Sequence, residues 1–145
     1  MFEPKNILFI PDYRFPNGNV NPKLLLILAT YETNIVYTLT TSQDDYIPDD
    51  RKQKGCLNDK SSMLSMYMFI KDEIVGYKPD SSSFAFDKDT YVIFRANQLS
   101  CSTSELLESY PNIKHKGTFD NEEFDKLTNC LRNSEFLKSK FKKFF

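Results

Sequence analysis

Three stretches near the N-terminus decide the fold: Asn6-Ile7-Leu8-Phe9-Ile10-Pro11, Lys23-Leu24-Leu25-Leu26-Ile27-Leu28-Ala29 and Ile35-Val36-Tyr37-Thr38-Leu39-Thr40-Thr41. The first is a short apolar run closed by proline, a strand signal. The second is too short for an independent helix and follows Pro22, so it reads as a central strand buried on both faces. The third is rich in β-branched and aromatic residues, which fit a pleated, half-buried surface. Between the first two stands Phe15-Pro16-Asn17-Gly18, whose Asn-Gly step supplies the positive φ of a tight turn. Glu32-Thr33-Asn34 separates the second from the third. The expectation is an antiparallel meander.

Downstream, residues 42–62 are polar, with Asp44, Asp45, Asp49 and Asp50 followed by Arg51, Lys52 and Lys54. They read as a long surface loop interrupted by Ile47-Pro48, and structureless loops of that length are often functional. Residues 63–70 return to a strand, where the methionines fill core. Glu73-Ile74-Val75-Gly76 and Tyr91-Val92-Ile93-Phe94 are further strand candidates, with Ser81-Ser82-Ser83 as a loop between them. Ser102-Thr103-Ser104-Glu105 has capping-box spacing and predicts a short helix reaching Tyr110, before Pro111. Lys114-His115-Lys116-Gly117-Thr118 reads as a connector. Asp120, with Glu123 three positions on, predicts the N-cap of a helix that turns Phe124, Leu127 and Leu131 to one side. Asn133-Ser134 interrupts that helix, and a second helical piece carries Phe136, Leu137, Phe141 and Phe144. Residues 1–145 are expected to form a single domain.

Composition narrows the function. The 145 residues carry a formal net charge of −1, which removes the global basic footprint of a non-specific duplex binder but not a local basic patch. Cys56, Cys101 and Cys130 are odd in number and scattered, so three reduced, mostly buried thiols are expected, neither a disulfide framework nor a zinc site. The single histidine, His115, sits in Lys114-His115-Lys116, so neither a histidine metal cluster nor a Ser-His-Asp triad is expected. Neither metal nor cofactor is expected. The N-terminus lacks the pattern of a signal peptide, and the longest apolar run is far short of a membrane span. The expected location is the cytoplasm.

The order of these features resembles the MazF/PemK family of toxin–antitoxin ribonucleases over most of the chain. Lys23-Leu24-Leu25-Leu26-Ile27-Leu28 falls where that family has an Arg-Pro step and an apolar strand, and Leu39-Thr40-Thr41-Ser42 falls at its strand-ending Thr motif. Ile47-Pro48 is similar to a step some members carry. Lys88-Asp89-Thr90-Tyr91-Val92-Ile93 is similar to the family's Lys-polar-Ser/Thr-Val strand, and Gly117-Thr118-Phe119 precedes a helix like the family's last. The resemblance implies a mainly β fold with a C-terminal α-helix, an SH3-like small barrel. It also implies a metal-independent endoribonuclease or RNA-binding protein, RNA as substrate, a small antitoxin protein as partner, and a homodimer sharing apolar surface left over at the C-terminus. This chain departs by having Lys23 where the family has arginine, and lysine lacks the bidentate fork that guanidinium offers phosphate.

RNA cleavage at a 2′-hydroxyl needs a proton acceptor, charge at the phosphate and a donor to the leaving oxygen. Lys23, Thr41 and Ser42 are the catalytic candidates. Asp12, Arg14, Asp89 and Arg95 are the substrate-binding candidates: Asp12, Asp89 or a tyrosine would serve as the proton partner, and Asp12-Tyr13-Arg14-Phe15 with Arg95 combines charge with aromatics able to stack single-stranded RNA. Lys23 and Thr41 are expected to face one groove. The competing reading is a non-catalytic interaction barrel that binds a peptide or protein partner. The tail, residues 136–145, holds four lysines and no acid, and reads as a helix with phenylalanine inward and lysine solvated.

Overall fold

The computed structural model describes all 145 residues, Met1–Phe145. The three N-terminal stretches form β1 (Asn6–Arg14), β2 (Val20–Tyr31) and β3 (Asn34–Leu39), paired antiparallel in chain order. The β1–β2 turn closes as expected. Phe15 N–H donates to Asn19 O at 2.9 Å, and Gly18 takes the left-handed φ of 89° that glycine adopts without penalty.

Around this meander the chain adds β4 (Gly55–Asp59), β5 (Leu64–Phe69), β6 (Ile74–Tyr77), β7 (Ser83–Ala85), β8 (Thr90–Ile93) and β9 (Leu99–Ser102). Helix α1 (Thr103–Ser109), β10 (Lys114–Phe119) and helix α2 (Asn121–Arg132) follow, and a 3-10 turn at Ser139–Phe144 ends the chain. A seven-stranded sheet runs β7-β6-β10-β1-β2-β3-β9, and a three-stranded sheet runs β4-β5-β8. The protein is mainly β, in two antiparallel sheets that do not close into a barrel. The short β7 and β9 lie at opposite ends of the large sheet.

Alternation along the central strands sends side chains to two cores. Ile7, Leu26, Leu28 and Val36 join one core, with Tyr67, Phe69, Val92 and Phe94 of the small sheet region and Phe124, Leu127 and Leu131 of α2. Leu8, Ile10, Leu25, Ile27 and Ile35 join another on the opposite face, closed by Leu106, Tyr110 and Ile113 in and after α1. The meander is thus buried on both sides. Both helix caps form: Ser102 accepts from Glu105 N–H and Asp120 from Glu123 N–H.

Four expectations change. Lys114–Phe119 is not a connector but β10, which joins β1 to β6. Gly76 allows that join, since a Cβ there would strike the Thr118 carbonyl. The stretch 42–62 is not structureless: it contains β4 and a 3-10 turn at Asp49–Arg51, and buries Ile47. Ser83 opens β7 rather than closing a loop. Finally, Cys56 and Cys130 are not reduced thiols. They form a disulfide between β4 and α2, with Cα atoms 5.5 Å apart, leaving Cys101 free. Scattered spacing could not reveal a pair that only the docking of α2 brings together. Such bonds persist in oxidising surroundings and are rare in cytosolic proteins, so this bond and the cytoplasmic expectation pull in opposite directions. No helix is long and apolar enough to cross a membrane.

The tail turns its phenylalanines inward. Phe141 is buried, and Phe136, Phe144 and Phe145 pack against the chain's own core. Buried Gln98 holds this segment: its amide donates to Phe136 O at 2.8 Å and accepts from Lys138 N–H at 2.7 Å. The residues that motivated a homodimer are therefore spent within the protomer.

Candidate functional site

The edge where β1 and β2 meet the end of β3 and the start of β8 carries a cleft of about 300 Å³. Phe9 pairs with Leu24 and Ile10 with Lys23, and the β1–β2 hairpin contributes Phe9, Pro22, Lys23 and Leu24 to the lining. The chain leaving β3 is pinned by Thr40 N–H to Leu24 O at 3.1 Å, then by a two-way bridge between Thr41 and Tyr91 (2.9 and 2.8 Å). That bridge is a seam between the sheets. It brings Asp87, Lys88 and Thr90 from β8 and the segment before it opposite Pro22, Lys23, Thr41 and Ser42.

Lys23 is half-buried. Its ammonium donates to Thr40 O at 3.1 Å and lies 5.6 Å from the centre of the Phe15 ring, and it has no carboxylate partner. Burial lowers its pKa from the usual lysine range. The Thr41 hydroxyl accepts from Gln43 N–H at 3.1 Å and keeps its own proton free to donate. Thr40 is committed, donating to Leu24 O at 3.3 Å.

Two further hollows continue the cleft. One, of about 440 Å³, shares Pro22, Lys23, Thr41 and Ser42 and extends over Phe15, Asn17, Asn19, Asn21 and Gln43. The other, of about 490 Å³, shares Phe9, Leu24 and Asp87 and extends over Phe84, Phe86, Lys78 and Lys116. Gly117 makes this last end possible: the Phe84 ring lies against it where a Cβ would collide. Lys116 Nζ stands 5.3 Å from the centre of the Phe9 ring. The first cleft shares walls with each of the other two hollows, and taken together as a groove they are lined by Lys23, Lys78, Lys88 and Lys116, none in an ion pair, and by Asp87 as the one carboxylate.

No known protein family, curated protein or solved structure matches the chain.

The sequence candidates divide accordingly. Lys23, Thr41 and Ser42 line the same cleft. The four substrate-binding candidates lie outside the groove. Arg14 stacks over Tyr110 at 4.8 Å and donates to Ser109 O. Asp89 accepts from Lys71 N–H at 2.9 Å, a loop-closing role. Arg95 lies over Phe136 at 5.8 Å. Asp12 sits at the β1 bulge, with its Oδ1 buried and accepting no hydrogen bond. Sequence reading missed Lys78, Lys88, Lys116 and Asp87. Lys78, Asp87 and Lys88 stand beside short strands and Lys116 within one, with no common spacing to single them out, and their convergence depends on β10 pairing with both β1 and β6. No cluster of three or more His, Cys, Asp or Glu side chains is arranged to hold a metal ion.

Proposed function

We propose that this protein binds single-stranded RNA in the groove. The observation that carries the reading is the run of four lysines without carboxylate partners along a groove floored by Phe9, in a chain whose net charge is −1. Charge held locally against a neutral background suits an anionic chain that follows a path. Aromatic faces beside the cations suit unstacked bases. Hydroxyls of Thr41 and Ser42 beside Lys23 supply neutral and charged donors for one phosphate, and half-burial of Lys23 strengthens its field.

Binding is favoured over cleavage because donors and cations crowd the cleft while Asp87 is the groove's one carboxylate to accept a proton. The MazF/PemK-like endoribonuclease toxin is the narrower form of this proposal. It would use Lys23, Thr41 and Ser42 at the scissile phosphate, with a small antitoxin as its partner.

The test is binding of an unstructured RNA oligomer followed by fluorescence anisotropy over a salt series. Four lysine–phosphate contacts give a slope of log affinity against log salt of about −3, at about 0.7 per phosphate for single strands. Lys23→Ala should weaken binding and reduce that slope by about 0.7, whereas Lys23→Arg should retain it. No binding at micromolar protein in low salt sinks the proposal. RNA fragments, lost with Lys23→Ala, together with growth arrest on expression would establish the toxin form.

A further inference from the structure

Asp87 is out of place in a groove for an anion. It is exposed, joins the cleft around Lys23 to the apolar hollow over Phe9, Phe84 and Phe86, and is engaged in no hydrogen bond or ion pair. The other charged side chains of the groove are all lysines that attract phosphate, whereas Asp87 repels it and suits the part of a nucleotide that carries donors. From this, and resting on the RNA reading above, we infer that the hollow over Phe9 is a base subsite selective for guanine.

An ionised carboxylate only accepts hydrogen bonds, through two oxygens. The Watson–Crick edge of guanine places two donors side by side, N1–H and the N2 amino group, matching those oxygens in a bidentate pair. Adenine and cytosine each set one amino donor beside a ring-nitrogen acceptor, and uracil sets one N–H between two carbonyls. Each of these turns a lone pair toward Asp87. Unstacked bases in single-stranded RNA expose this edge and stack on aromatic side chains. Phe9 is half-buried with Lys116 over its ring, an aromatic–cation pair at the side of the hollow, while Phe84 and Phe86 are buried beneath it. A hollow of about 490 Å³ falls within the range of ligand-sized pockets. Lys78 and Lys116 flank it and neutralise the phosphates on either side of the inserted base.

The experiment compares an all-uridine octamer with octamers carrying one central guanosine, adenosine or cytidine, by fluorescence anisotropy on the full chain. The guanosine oligomer should bind about 10-fold more tightly than the others, the discrimination expected of a bidentate base contact. Asp87→Asn, at an exposed position, should shrink that ratio toward one. Equal affinity for all four oligomers, a preference for another base, or a guanosine preference that survives Asp87→Asn would each overturn the subsite while leaving RNA binding standing. Failure of every oligomer to bind would remove the RNA reading and the subsite together.

Discussion

The seven-stranded and three-stranded sheets are built on different terms. The large sheet holds itself: β1, β2 and β3 pair with their sequence neighbours through short turns, and their side chains fill a core on each face. The small sheet borrows. Its edge strand β4 pairs only with β5 and alternates half-buried with exposed residues. Beyond the Thr41–Tyr91 bridge, what fastens it comes from α2 and the segment after it: the Cys56–Cys130 disulfide, Asn58 Nδ2 donating to Cys130 O at 3.0 Å, and a Ser65–Ser134 hydroxyl contact. Tyr67 adds a 2.6 Å hydrogen bond to Glu123, and burial beside that carboxylate pushes the Tyr67 pKa far above the usual range. The difference teaches that local pairing and tertiary fastening can build equally regular strands. They should differ in what breaks them, and the groove lies at their seam.

Removing the disulfide is the hardest test of this contrast. The bond spans 74 residues, and the chain-entropy model gives about 4 kcal/mol for closing a loop of that order. Cys56→Ser/Cys130→Ser should lower unfolding stability by about that much in denaturant titrations. Hydrogen exchange should then quicken in β4, β5 and α2 well before β1–β3. Uniform loss of protection in both sheets would refute the idea that the small sheet is fastened from outside.

The complementary cut is Leu26→Ala, at a position with no exposed surface in the core shared by both sheets. A fully buried leucine replaced by alanine costs about 3 kcal/mol. Because β2 is central, the loss should appear as a lower midpoint with an unchanged denaturant slope, and with exchange raised across the whole molecule. Loss confined to the large sheet would show that the two sheets unfold separately.

Acid supplies the gentlest probe, and it acts on the small sheet. Asp59 closes β4, accepting from the Ser61 hydroxyl at 2.7 Å and Ser61 N–H at 3.0 Å. Hydrogen bonds from Ser61 and Ser62, then the nearby Arg51, lower its carboxyl pKa to about 2. A pKa lowered by folding means a contribution present above the ordinary value of 3.8 and lost as pH falls toward 2. Amide resonances at the β4–β5 turn should therefore shift between pH 4 and pH 2, with the β1–β2 turn unmoved. A β4–β5 turn that stays unchanged over that range would remove Asp59 from this role.

The reach of the sequence follows the same division. It determined the meander, because runs such as Leu24–Ala29 bury both faces and the turns at Asn17-Gly18 and Glu32-Thr33 fix pairing locally. It determined both helix starts, because a cap is a contact between residues three apart. It also placed Lys23, Thr41 and Ser42 together, since neighbouring antiparallel strands bring a strand start beside a strand end. Tertiary structure alone decided the rest. Lys114–Phe119 is too polar to announce a strand, and becomes β10 because β1 and β6 offer it unpaired backbone on both sides. Cys56 meets Cys130 only once α2 has docked. Lys78, Lys88, Lys116 and Asp87 converge on the groove only because β10 carries β6 and β7 to β1 while the Thr41–Tyr91 bridge draws in β8. Pairing between residues far apart in the chain leaves no periodicity in either partner, so it becomes visible only when backbone hydrogen bonds and buried faces are satisfied for the whole molecule at once.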